Sequence, residues 1–199
     1  ESPCDKRADG EAKVATLVVA GAPLTRFALV SLINGHPLTT VAGETATAPS
    51  ARQSCADTLP DLIVIDVDLA FGNGLDLLHD FRKLHPRHKS IVLSSPEDLF
   101  SIQRAFVAGA RAYLSKLDPP SEVLTAIDTV LSGRMYTSPG IAQRMLEGMA
   151  GAKQDRMAQK LSQLSDRELH VFHLLGHEKG ATQIARELGV SIKTVETYK

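Results

Sequence analysis

The feature that most constrains this chain is an alternation. From Val14 to Leu131, short β-rich runs take turns with stretches of helical periodicity. Asp61-Leu-Ile-Val-Ile-Asp66 is the clearest strand. Val14–Val19, Ser90–Ser94 and Arg111–Ser115 read the same way, and a weaker strand lies near Thr39–Ala42. The spacing predicts a helix over Pro23–Asn34, with Leu24, Phe27, Ala28 and Leu32 as its apolar positions, and a polar helix over Ala48–Leu59. It predicts another over Leu75–His85, with Leu75, Leu78 and Phe81 facing a sheet, and one over Asp98–Ala108. The last of the series is Pro120–Leu131, with Val123, Ile127 and Val130 or Leu131 inward. Such βα units with nearly continuous apolar strands specify a five-stranded parallel sheet covered on both faces, a doubly wound α/β domain over residues 14–132. Sheets of this kind bind and react at the carboxyl ends of their strands. The residues to inspect are therefore Ala20-Gly21, Asp66, Ser94 and Lys116.

After Gly133 the alternation stops. Ser138-Pro139 reads as an N-cap followed by proline at the first helical position, opening a helix with Ile141, Met145 and Met149 on one side. Gly151–Lys160 is small and polar, so residues 133–160 read as a helical linker. A compact all-α unit follows over 161–199. Ser165 and Glu168 have capping-box spacing, flanked by Leu164 and Leu169 as a hydrophobic staple, and the helix runs on through Val171, Phe172 and Leu175. Ala181–Leu188 is short and amphipathic, with Ile184, Ala185 and Leu188 inward. Gly189 suits a left-handed turn, and Ser191 can cap a third helix from Ile192. This is the layout of a helix-turn-helix; a purely structural helical hairpin fits the layout equally.

Charge divides along the same line. Residues 1–132 carry 12 Lys/Arg against 16 Asp/Glu, and residues 133–199 carry 10 against 7, a basic tail on an acidic head that hints at a polyanion partner. Cys4 and Cys55 make neither a disulfide framework nor a zinc pattern, and ordinary reduced thiols are expected. The polar N-terminus lacks an apolar signal core and no apolar run reaches membrane-spanning length, so no membrane partner and a cytoplasmic location are expected. The histidines are scattered. His170, His173 and His177 could meet on one helix and hold a metal, but a solvent-facing polar stripe is the favoured reading. With no P-loop and no Ser/His/Asp or Cys/His constellation, an independent enzyme is not expected.

The segments LSDREL and QIARELGVSIKTVETYK, with PDLIVIDVDL, GLDLLHDFRKLHP and GARAYLSK before them, resemble the response-regulator family with LuxR-type output domains over about residues 14–199. The resemblance implies that a histidine kinase passes a phosphoryl group to Asp66. It makes Ser94 the hydroxyl that reports the phosphate, Lys116 the cation that pairs with it, and Tyr113 the aromatic that moves as the switch sets. A carboxylate is a competent nucleophile, and the charge on a moving phosphoryl group needs cations and donors around it. Taken singly, Asp66 is a strand-end carboxylate, Ser94 a turn hydroxyl, Tyr113 a core aromatic and Lys116 a solvated cation; all four in register favour the inherited site. For the C-terminal unit the resemblance implies a homodimer on a two-fold-related DNA operator, the helix after Ser191 lying in the major groove. Thr182, Lys193, Thr194 and Lys199 are the expected DNA contacts, with Val195 packing inward against Ile184.

The chain also departs from the family. An acidic pair that holds Mg²⁺ normally follows the first strand; here Ala20-Gly21-Ala22 stands in its place, while Pro23-Leu24 and Arg26 keep the register. Asp68 could donate an oxygen instead, but a solvated loop carboxylate is the simpler reading. Ala70 replaces a usual proline, and Gly72-Asn73-Gly74 keeps only loop character. The chain stops at Lys199, within the expected recognition helix, which suggests an incomplete output domain. The expectation is a DNA-binding regulator with no cofactor, Mg²⁺ in doubt, and control by something other than standard phosphotransfer. The alternatives are a receiver that still accepts phosphate on Asp66, and a module that binds a ligand or protein.

Overall fold

The computed structural model describes residues 13–69, 73–95, 99–150, 168, 171, 174–175, 180–188 and 190–197. Strands β1 (Val14–Val19), β2 (Thr39–Thr45), β3 (Leu62–Asp66), β4 (Lys89–Ser94), β5 (Ala112–Ser115) and β6 (Tyr136–Thr137) form one sheet in the order β2-β1-β3-β4-β5-β6. Every neighbouring pair is parallel. Helices α1 (Pro23–Gly35), α2 (Ala48–Thr58), α3 (Gly74–Leu84), α4 (Leu99–Ala108) and α5 (Pro120–Leu131) make the crossovers, and α6 (Pro139–Ala150) follows β6.

Strand side chains alternate between faces, so the sheet builds two cores. Val18, Leu62, Val64, Ile91 and Leu114 pack against Leu29 and Ile33 of α1 and Val123, Ile127 and Val130 of α5. On the other face, Leu17, Val19, Ile63, Ile65 and Val92 meet Cys55 of α2, Leu75, Leu78 and Phe81 of α3, and Ile102 of α4. The stripe expected for α3 is therefore the buried one. The stripe expected for α1 is so only at Leu32, which packs against the core: Leu24 is 79% and Phe27 70% exposed, while Leu29 and Ile33 face the sheet. Both stripes are apolar at helical spacing, and the crossover from β1 selects which of them turns inward.

The sheet also has one strand more than expected. Tyr136–Thr137 pairs with β5 through the register Ala112↔Tyr136 and Tyr113↔Thr137. This brings α6 back onto the first unit, where Ile141 is buried in the core and Met145 packs against it. Pro139 begins α6 as the sequence predicts, but the Ser138 hydroxyl is buried without a partner instead of capping the helix.

Helix α3 starts close against the sheet. The Asn73 side chain accepts a 2.7 Å hydrogen bond from Leu75 N as its N-cap. A Cβ on Gly74 would come within 2.8 Å of the Asp66 carbonyl oxygen and of Val67 Cα, so this position tolerates only glycine. The start of α3 is thus held at a tight clearance from the end of β3.

In the C-terminal part, α7 (Ala181–Leu188) and α8 (Ile192–Thr197) pack Ile184, Ala185 and Val195 with Val171 and Leu174 into a small core. The turn between them closes through Val190 N to Ala185 O at 3.0 Å. Ser191 caps α8, its hydroxyl accepting from Thr194 N at 3.1 Å. The expected capping box and staple (Leu164, Ser165, Leu169), Phe172, Gly189 and the histidine trio lie outside the described residues, as do Cys4 and the 151–160 linker.

Candidate functional site

The carboxyl ends of β3, β4 and β5 meet at Asp66. It closes β3 and is fully buried. Its Oδ1 lies 2.6 Å from Lys116 Nζ and accepts a 2.9 Å hydrogen bond from Asp68 N. Its Oδ2 is buried with no hydrogen-bond partner. Lys116 follows β5 and is positioned by its backbone, since Lys116 N donates to Ser94 O at 2.7 Å. Ser94 ends β4, is fully buried and sits in register with Ser115. The sequence pattern places these three residues at neighbouring strand ends, and the structure brings them together.

Two further side chains join the site. Asp68 Oδ2 accepts from Lys116 Nζ at 2.7 Å and from Ser95 Oγ at 3.1 Å. Asp68 is thus a half-exposed loop carboxylate, as expected, but one tied to Lys116 and Ser95. Ser95 was not anticipated; its only sequence signal is that it follows Ser94. Tyr113 is buried on β5 within the core on the α3–α4 face, beside β6.

The electrostatics are tightly linked. Burial pushes the Asp66 carboxyl above its ordinary range, against the hydrogen bond and charge of Lys116, which pull it down. Burial also works against the Lys116 ammonium, but hydrogen bonds from it to Asp66 and Asp68 win and hold its pKa above the ordinary lysine value. Lys116 is therefore firmly charged, and it is shared between two carboxylates.

The β1 side of the pocket differs in kind. The pairing Val19↔Ile65 places the next residues, Ala20 and Asp66, side by side. Ala20 is fully buried and brings no side-chain oxygen. Its carbonyl accepts a 2.8 Å hydrogen bond from Arg26 Nη1, so a guanidinium is anchored at the end of β1. Mg²⁺ requires near-octahedral oxygen coordination. Asp68 Oδ2, Asp66 Oδ1 and the Ala20 carbonyl oxygen are already engaged by cations or donors. Gly72 and Ala70 lie outside the described residues.

On the helical unit, Thr182 and Lys193 are exposed, at the second positions of α7 and α8. Thr194 is half-buried and its hydroxyl pairs with that of Ser191 at 2.7 Å. Val195 is fully buried in the core with Ile184, as the sequence predicts. Lys199 lies outside the described residues.

Comparison with known proteins agrees with this two-part organisation. Residues 16–128 match the family model "Response regulator receiver domain", and residues 162–199 match "Bacterial regulatory proteins, luxR family". The chain is 30% identical over 190 residues to the transcriptional activator protein ExaE of Pseudomonas putida, covering 92% of this chain and 85% of that protein. It is 28% identical over 183 residues to the DNA-binding transcriptional activator EvgA of Escherichia coli, covering 92% of this chain and 86% of EvgA. Among solved structures, a two-component response regulator of the LuxR family from Aurantimonas sp. SI85-9A1 is similar at a TM-score of 0.66 and 28% identity, covering 70% of this chain and 99% of that one.

Proposed function

Because this chain belongs to the response regulator family, with a receiver domain followed by a luxR-family segment, we propose that it is a DNA-binding transcription regulator whose receiver is not governed by ordinary Mg²⁺-dependent phosphorylation. One observation carries the second half of this reading: β1 ends in Ala20-Gly21, and Arg26 holds the Ala20 carbonyl beside Asp66. These residues do not fit Mg²⁺, because the end of β1 offers it no carboxylate and sets a guanidinium against its last carbonyl.

The test is labelling by acetyl phosphate with Mg²⁺, read by intact-mass spectrometry. Loss of metal stabilisation should slow transfer by several orders of magnitude relative to an ordinary receiver. Comparable labelling of the two overturns the reading. Replacing Ala20 and Gly21 by aspartate should restore part of the rate.

A second reading keeps Asp66 as an acceptor for a histidine kinase. It is favoured by Asp66 Oδ2, buried without a partner, and by Lys116 at 2.6 Å from Oδ1. A module binding a ligand or protein at the emptied β1 end is the third.

For the output unit we propose a homodimer with α8 in the major groove, and Thr182, Lys193, Thr194 and Lys199 contacting DNA. The exposure of Thr182 and Lys193 supports this. Among the described residues no helix is long and apolar enough to cross a membrane. The cytoplasm is the compartment where a regulator of this kind meets DNA. No catalytic activity is assigned to the chain in this reading.

A further inference from the structure

Asp68 holds the cation that a phosphoryl group on Asp66 would need, and the Ser95 hydroxyl with it. Lys116 Nζ lies 2.7 Å from Asp68 Oδ2, and Ser95 Oγ donates to the same oxygen at 3.1 Å. Asp68 N meanwhile donates to Asp66 Oδ1, fixing the two carboxylates side by side. The unpartnered Asp66 Oδ2 is the atom left to react, and the charge of a phosphoryl group there calls on the same ammonium that Oδ1 and Asp68 already hold.

We propose that the Asp68 carboxylate is an internal ligand of the phosphoryl position, holding Lys116 and Ser95 as an oxyanion would and competing with a real one for them. This rests on the reading of the strand-end pocket as a receiver site.

The charge balance supports the competition. One ammonium already serves two carboxylates. Phosphorylation turns Asp66 into a dianionic acyl phosphate, which then shares that ammonium with Asp68 at close range. Without the Asp68 charge, Lys116 serves the phosphoryl group alone. Asp68 is thus a positioning residue: it acts through Lys116 and Ser95 and does not react. Half of its side chain is open to water, so the competition is screened and its effect is a moderate factor.

The test compares the full chain with Asp68→Asn, Asp68→Ala and Asp68→Glu, using acetyl phosphate as donor. In the step followed, Asp66 Oδ2 attacks phosphorus, the phosphorus–oxygen bond to the acetyl group breaks, and acetate leaves with the electron pair. Asp66→Asn serves as the blank. Asp68→Asn and Asp68→Ala should each label about fivefold faster than the wild type, with a gain that shrinks in high salt. Asp68→Glu should stay near the wild-type rate, since it restores the charge.

Unchanged, slower or absent labelling in both neutral variants overturns the proposal, as does a gain that Asp68→Glu shares. Each protein is measured in Mg²⁺ and in EDTA. Strong Mg²⁺ stimulation of the wild type would defeat the proposal that the receiver is not governed by ordinary Mg²⁺-dependent phosphorylation, while leaving the Asp68 comparison within each condition intact.

Discussion

The strand-end pocket and the helix-turn-helix present their functional groups in opposite ways. In the pocket, Asp66 is buried, Lys116 is shared between two carboxylates, and Ser94 is closed off inside the sheet. In the helical unit, Thr182 and Lys193 stand in water above a small core. A buried charged group is coupled to the stability of the fold, because any partner it loses leaves an uncompensated charge. An exposed group is held by nothing but its helix, so its energy is realised only when a partner arrives. The two regions should therefore respond to mutation on different axes: the pocket in stability, the helical unit in binding.

The largest break in that comparison is Lys116→Ala. It leaves the Asp66 carboxylate buried with only the Asp68 backbone N–H, and should cost about 3 kcal/mol of unfolding free energy at neutral pH. The loss should shrink as the pH falls and Asp66 takes a proton. Urea unfolding at several pH values checks this, and a stability change below about 0.5 kcal/mol would remove the contrast between the regions.

Val195→Ala comes next. The side chain is fully buried in the core shared by α7 and α8, and its loss should cost about 2 kcal/mol. Here stability and DNA binding should fall together, because α8 is positioned by this contact. A normal melting curve with lost DNA binding would instead place Val195 at the DNA.

Asp66→Asn has a smaller effect of opposite sign. The folded carboxyl is raised above its unfolded value by burial, so the folded state favours the protonated form. The unfolded chain binds fewer protons once the pH exceeds the ordinary carboxylate range. Stability from this group is therefore fully present below the unfolded value and is lost as the pH rises through the folded one. A neutral amide avoids that loss and should stabilise the chain at neutral pH by on the order of 1 kcal/mol. Lys116 keeps Asp68 as its partner in this variant. The gain should vanish at acid pH; a destabilised Asp66→Asn at neutral pH would show that the Lys116 contact outweighs burial.

The smallest stability effect belongs to Lys193→Ala, within about 0.5 kcal/mol, since the residue is exposed. Its signature is in binding. If Lys193 contacts phosphate, affinity for all DNA sequences should drop and the salt slope should flatten by about one unit. If it contacts a base edge, operator preference should relax instead. Fluorescence anisotropy at several salt concentrations separates these outcomes, and no change in either quantity would remove Lys193 from the interface.

How much of this was legible beforehand varied with the physics of each element. The α3 stripe of Leu75, Leu78 and Phe81 could be read because α3 has a strong apolar face set against charged residues. The α1 stripe could not, because Leu24 and Phe27 are as apolar as Leu29 and Ile33 and periodicity alone does not rank the two faces. Strand β6 is only two residues long, too short for any alternation to show, and exists because β5 offers it an edge. Asp66, Ser94 and Lys116 could be placed at the site because a parallel sheet brings its strand ends to one side. The partners of Asp68 could not be found that way. They depend on a lysine reaching from β5 across β4 to the loop after β3.

By itself the sequence determined the parallel α/β architecture, the capped helices behind it and the absence of carboxylates after β1, because strand alternation, caps and residue identity are local properties. Only the tertiary structure decided which face of α1 is buried, that β6 and α6 return to the sheet, that Arg26 holds the Ala20 carbonyl, and that Lys116 is divided between Asp66 and Asp68. Apart from the short Arg26–Ala20 loop contact, those are contacts between residues far apart in the chain. Sheet order and strand register set their distances, and the burial they create fixes which charges prevail.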